Sequence, residues 1–331
     1  MTVAHTDGFT APFALARYRD GDEVRLGLVA GDRLRPLGPD DLGAPDLNAF
    51  LAGADWARLE RLAADTAGSA DGAGEWMPLA DVVLTAPVEP RQVLQAGANY
   101  RQHVIELVAA GLTQDGSRTP DEARAFAAEM MDKRAAHGDP YFFIGLPACV
   151  VGDDVDLVLP SYSTVHDWEL ELAIVIGAPA FRVSRDDALK HVAGYTIVND
   201  ITTRDLVFRK DMKEIGTDWY RAKNAPGFLP TGPFLVPAQF VDVDTATVEL
   251  KLNGETKQNG STSDLLFGIA ALISGASETM PLLPGDLLLT GSPAGNGQHW
   301  KRFLQDGDVM TGSITGLGTQ NVRSVAEPVA S

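Results

Sequence analysis

Hydrophobic and polar positions alternate with different periods along the chain. Between Phe13 and Leu37, ALARYRDGDEVRLGLVAGDRLRPL alternates around the turn formers DGD and AGD, which predicts a meander of short strands. Leu47, Phe50, Leu51, Trp56, Leu59 and Leu62 then recur at helical spacing, with Asp46 positioned to cap the start. GSADGAGEW reads as a loop. A boundary in the stretch Ala80 to Val88 divides a small N-terminal α/β domain, 1–85, from a larger domain, 86–331.

From Val93 the pattern changes. VLQAGANY predicts a strand entering a polar turn, and RQHVIELVAAG predicts a helix ending at Gly111. A second helix is expected from about Pro120, with Thr119 as its cap. Residues 103–140 read either as a lid over a site or as surface helices. Downstream, DVDLVLP, ELELAIVIG, AGYTIVND, GPFLVP, TVELKLNG, GDLLLTGS and GDVMTGSITGLG predict short strands. Helices are expected at DDALKHVAG, DLLFGIAALISGAS and TTRDLVFRKDM. The fold class is therefore α+β and β-rich, not a regular βαβ alternation.

Composition narrows the function. The 331 residues are 45% hydrophobic and 22% charged, enough for a sizeable core. A net charge of −18 disfavours nucleic acid and anionic membranes as partners. An enzyme of this charge acting on small anionic acids needs a local cationic pocket or a bound metal ion. The single cysteine, Cys149, excludes an internal disulfide and a Cys-rich zinc site. No secretory signal pattern opens the chain and no run of 18 apolar residues occurs, so a cytoplasmic protein is expected.

Five segments carry candidate chemistry. In HDWELELAIVIG, strand alternation puts Asp167, Glu169 and Glu171 on one face. Such a row suits either a solvated sheet face or a hard divalent ion such as Mg²⁺, Mn²⁺ or Ca²⁺. In GYTIVNDITTRDL, Asp200 ends an apolar strand, as a helix N-cap or as a further metal ligand. In NYRQHVIE, His103 and Glu106 share a helical face, as an exposed pair or as a general base with its orienting carboxylate. Lys223, before a Pro/Gly-rich loop, is a surface lysine or a stabiliser of an enolate. Thr290, Gly291, Ser292 and Gly295 form a glycine-rich turn whose backbone N–H groups can hold a carboxylate, or a plain strand end.

These segments, with AKNAPGFLPTGP, LKLNGE and DGDVMTGSITGLG, resemble in kind and order the fumarylacetoacetate hydrolase family, particularly its bacterial members acting on 2-oxo-dienoic acids as hydrolases, hydratases or isomerases. The resemblance covers about Val93 to Val322, and the N-terminal stretch is similar to the accessory domain of many members. It implies a mixed β-sandwich roll, usually as a homodimer, with Glu169, Glu171 and Asp200 holding Mg²⁺ or a similar ion. It implies His103 and Glu106 as the water-activating dyad, with Lys223, Tyr100, Arg204, Gly291 and Ser292 around a small anionic oxo-acid. Two departures stand out: Gly145 where many members have a lysine, and Pro226 within the altered segment after Lys223. Arg209 and Lys210 are the candidate replacements for that lysine.

The reaction expected on this basis is metal-dependent hydrolysis of a C–C bond in an acylpyruvate or other 1,3-dioxo acid, with water activated by His103 and Glu106. Decarboxylation, hydration and isomerisation of related acids are the enzymatic alternatives. A non-catalytic ligand-binding protein on the same fold predicts loss of the dyad or the carboxylate triad, and neither is lost.

Overall fold

A computed structural model describes residues 4–64, 76–152 and 155–328. The predicted meander forms: Ala14–Asp20, Glu23–Ala30 and Arg33–Leu37 pair in antiparallel register. Val83–Thr85 adds to the free edge of the first strand. The helical stretch after it is two helices, Leu47–Leu51 and Trp56–Ala64, because Asp46 and Asp55 each cap a separate start. Most of the GSADGAGEW loop lies outside the described residues.

The centre is a six-stranded mixed sheet in the order Val236–Pro237, Val192–Asn199, Leu170–Ile176, Leu287–Leu289, Val93–Gly97 and Tyr141–Gly145. A second, five-stranded sheet contains Glu255–Ser261, Thr247–Leu252, Val309–Ile314, Gly318–Ala326 and Leu157–Leu159. Leu170, Leu172, Ile174 and Ile176 pack with Val248, Leu250 and Met310 of that second sheet. Ala173 and Val175, on the other face, pack with Phe13, Leu15 and Leu28 of the N-terminal sheet. A strand buried on both faces explains why ELELAIVIG is apolar at successive positions rather than alternating. Each fully buried leucine or isoleucine here stabilises the fold by roughly 1.5–3 kcal/mol. The result is the β-rich α+β architecture.

Four further expected helices differ. In DDALKHVAG the α-helix is only Arg185–Ala188, followed by a 3-10 turn and, from Val192, by strand. Arg101–Gln114 continues past Gly111, since glycine weakens a helix interior without ending it; Gly116, at φ +73°, follows its end. In DLLFGIAALISGAS the helix starts only at Ile269. TTRDLVFRKDM is not a helix: Thr202 and Thr203 pair with Asp167 and His166 as a short ladder, leaving one 3-10 turn at Arg204–Leu206. Asp200 therefore caps no helix. Thr119 does cap Pro120–His137, in a reciprocal box with Glu122. No helix among the described residues is long and apolar enough to cross a membrane.

Candidate metal centre and its cavity

The entry to the acidic strand is fixed by contacts at three successive residues, Trp168, Glu169 and Leu170. Trp168 is fully buried and its indole N–H donates to the Gly295 carbonyl at 3.1 Å. Leu170 N–H donates to Gln258 Oε1 at 3.1 Å, and Glu169 N–H donates to Asn199 Oδ1 at 2.9 Å. Side-chain alternation then carries Asp167, Glu169 and Glu171 to the same side. The adjacent strand Val192–Asn199 delivers Asp200 to the same place, because Leu170 and Asn199 are in register.

Carboxylate oxygens of Glu169, Glu171 and Asp200 lie within 4.8 Å of one another. Each is oriented by a different donor. Gly291 N–H donates to Glu171 Oε2 at 2.7 Å, and Gln95 Nε2 donates to Asp200 Oδ1 at 2.8 Å. Arg204 bridges Asp167 and Glu169, at 2.6 Å to each. Lys223 Nζ donates to Glu169 Oε2 at 2.5 Å and also to Asp200. Gly291, at φ +95°, can only be glycine without strain, and an added Cβ would stand 3.1 Å from Asn99 Cβ.

Charge counting tests whether a metal fits. Asp167, Glu169, Glu171 and Asp200 face two cations, Arg204 and Lys223, which leaves two negative charges in a poorly solvated site. Burial drives the Glu171 pKa well above the usual carboxylate range, and Asp200 and Glu169 push it further. Asp200 is pushed up to about 6 by burial, against the pull of Lys223. Burial also acts on Glu169, but Arg204 and Lys223 outweigh it and hold that group below its usual range. The cluster thus needs positive charge, and a hard divalent cation bound by carboxylate oxygen supplies it. Glu169, Glu171 and Asp200 fit as its ligands, whereas Asp167 is taken up by Arg204, Trp168 N–H, Gly297 N–H and Gln298 N–H.

A cavity of about 200 Å³ opens over this floor. It brings together His103, Glu169, Glu171, Asp200, Arg204, Lys223, Gly291 and Ser292 from widely separated segments. Burial holds the His103 imidazole below its ordinary pKa, so it is neutral at pH 7 and able to accept a proton. The Ser292 hydroxyl is engaged by Gln258 Nε2 at 2.7 Å.

Several expected residues stand elsewhere. Tyr100 is buried under its helix, outside the cavity lining, with its hydroxyl unpartnered among the described residues. Burial, reinforced by Glu171 and Asp264, raises its phenol pKa. Glu106 also lies outside the lining. No hydrogen bond to His103 is present; its carboxylate is 3.8 Å from His299 Nδ1. Gly145 and Pro226 do not line the cavity either. A Cβ at Gly145 would sit 3.1 Å from both Leu229 and Val93, so that position is a packing constraint. Arg209 and Lys210 border a separate depression, and Arg209 is held by Asp211 and Asp218 at 2.5 and 2.8 Å. They therefore do not replace the missing lysine.

Sequence reading missed Gln95 and the apolar wall of Leu107, Tyr141, Phe143 and Trp219. The only available signal was aromatic density in PYFFIG and DWYRAK, which equally describes core packing.

Residues 92–325 match the family model described as fumarylacetoacetate (FAA) hydrolase, C-terminal. The chain is 41% identical over 186 residues to 2,4-didehydro-3-deoxy-L-rhamnonate hydrolase of Sphingomonas sp., covering 55% of this chain and 64% of that protein. It is 35% identical over 256 residues to oxaloacetate tautomerase YisK of Bacillus subtilis, covering 75% of each. The structure of maleylpyruvate hydrolase from Sphingobium sp., in complex with manganese(II) and pyruvate, superposes with a TM-score of 0.69 at 26% identity, over 95% of this chain and all of that one.

Proposed function

The chain belongs to the fumarylacetoacetate hydrolase family, and from that premise we propose that it is a divalent-metal-dependent hydrolase cleaving a C–C bond in an acylpyruvate or other 1,3-dioxo acid. The observation that carries this reading is the buried triad of Glu169, Glu171 and Asp200 at the floor of a cavity containing His103. Mg²⁺ or Mn²⁺, held by that triad, would act as a Lewis acid on the 2-oxo end of the substrate.

The protein's own groups supply the rest. Arg204 and Lys223 hold Glu169 ionised, and Lys223 also orients Asp200. The Lys223 ammonium is held charged against burial by Asp200 and Glu169, and offers positive charge to a developing enolate oxygen. His103, neutral at pH 7, takes a proton from water at its ring nitrogen, and the resulting hydroxide attacks the distal carbonyl. The C–C bond then breaks toward the enolate, which picks up a proton to leave as the 2-oxo acid.

A second reading, tautomerisation of a 2-oxo acid, is favoured by one observation. Glu106 is not hydrogen-bonded to His103, and a tautomerase needs a single proton acceptor rather than a dyad tuned for water. The distinguishing experiment uses chelator-treated protein on an acylpyruvate panel, with and without Mg²⁺ or Mn²⁺, beside His103→Ala. Metal-dependent pyruvate release that collapses in the variant supports hydrolysis. Metal-dependent enol–keto exchange without pyruvate release moves the protein to the tautomerase reading. Turnover unaffected by chelation overturns both.

A further inference from the structure

Building on the metal-dependent reading, we infer that the substrate carries its carboxylate only at the metal end and presents an apolar tail to a wall formed by Leu107, Tyr141, Phe143 and Trp219. These four side chains line the cavity beside the carboxylate floor. The Phe143 and Trp219 rings are stacked, with centroids 4.7 Å apart and planes at 17°. The Trp219 indole N–H donates to Tyr141 Oη at 2.8 Å. The indole donor is thereby satisfied within the wall, with the Tyr141 hydroxyl oxygen as its acceptor, which leaves ring surface for a ligand. The wall begins beside the chemistry: Lys223 Nζ is 5.4 Å from the Phe143 centroid and 5.9 Å from that of Trp219. Leu107 and Tyr141 remain 48% and 46% exposed. Large apolar groups left open beside a concave polar floor are surface that a bound molecule covers.

The cations are equally informative. Arg204 and Lys223 are the lysine and arginine side chains of the lining, and both are engaged by the floor carboxylates. Arg134, at the cavity edge, donates to the Gly97 and Ala98 carbonyls, and its guanidinium lies 5.3 Å from the Phe267 ring centroid. Arg209 is paired with Asp211 and Asp218. A second carboxylate at the substrate's far end would lose its water against aromatic rings, with no unpaired lysine or arginine among the described lining residues to receive it. An apolar tail gains affinity there, about fourfold for each methylene buried.

Calorimetric titration of the full-length Mn²⁺-loaded protein tests this without turnover. The ligands are pyruvate, 2-oxo-alkanoates of increasing length, a phenyl-tailed 2-oxo acid and length-matched 2-oxo-dicarboxylates. The dissociation constant should fall about fourfold per added methylene. A terminal carboxylate should weaken binding at least about tenfold relative to the matched alkyl tail. Trp219→Ala, and the gentler Phe143→Leu, should flatten the dependence on chain length. If pyruvate binds but dicarboxylates bind as well as their alkyl counterparts, the inference is overturned and the metal-dependent reading stands. If no 2-oxo acid binds, pyruvate included, both are overturned. A chain-length dependence unchanged in both folded variants removes the wall from the assignment.

Discussion

Glu169, Glu171 and Asp200 stand at the ends of strands whose apolar residues are buried on both faces, whereas His103 stands on a helix supported by a small separate cluster. That cluster contains Val104, Ile105, Ala127 and Met131, contributed by Arg101–Gln114 and Pro120–His137. The carboxylates are further pinned by backbone register and by Gly291, Gln95, Arg204 and Lys223. Arg101 and Asp132, 2.6 Å apart, join the two helices to each other, and the pair is tied to the rest of the fold by Arg134 donating to the Ala98 carbonyl and Gln102 N–H donating to Asp264 at 2.9 Å. A site that must hold several like charges needs a rigid floor. A proton acceptor that must meet a changing substrate can sit on a less deeply anchored element.

That contrast can be broken most severely at the floor. Glu171→Gln should abolish metal-dependent activity, with a loss of about a thousandfold or more, and remove the rise in melting temperature on adding Mn²⁺. Retention of that rise would show that Glu171 is not a ligand. His103→Ala should cost about 10²–10⁴-fold in hydrolysis while leaving the Mn²⁺-induced rise intact, as measured by the two assays side by side. Loss of both together would mean that the helix and the floor are one structural unit.

Arg204→Ala tests the floor by stability. It strands the fully buried Asp167 beside Glu169, and chemical denaturation should report a loss of about 3–5 kcal/mol. A loss under about 1 kcal/mol would show that Asp167 is protonated and needs no partner.

A smaller effect concerns pH. Asp200 and Glu171 titrate higher in the folded protein than in the unfolded chain. The ion-free fold therefore binds protons that the unfolded chain releases, and it loses stability as pH rises from about 4 through about 6. A bound divalent ion removes that penalty, so the Mn²⁺-induced rise in melting temperature should be greater at pH 7.5 than at pH 5. An equal rise at both pH values would contradict the raised carboxylates. Glu106→Gln should have the least consequence, below about tenfold in activity, because its carboxylate is near His299 rather than bonded to His103. A larger loss would mean that the dyad closes when substrate binds.

Much of this site was legible because strand geometry has a short, strict period. Alternation in DWELELA places Asp167, Glu169 and Glu171 together whatever the rest of the chain does. The helical period likewise puts His103 and Glu106 on one face, but that left open whether they touch. The expected helix after Asp200 failed because TTRDL had good helical spacing, while a two-residue ladder with His166 and Asp167, and the pull of two carboxylates on Arg204, lay far away in sequence. Gln95 and the aromatic wall had no local signature at all.

The sequence by itself determined the β-rich class, the row of carboxylates and the helix caps at Asp46 and Thr119, since each depends on residues a few positions apart and on fixed backbone periods. Tertiary structure decided which carboxylate the arginine takes, that Asp200 meets the row, and that Trp219 stacks on Phe143 to make the wall. Those outcomes depend on the burial of charge and ring surface between segments 31 to 76 residues apart, where the energy of pairing, not local propensity, selects the partner.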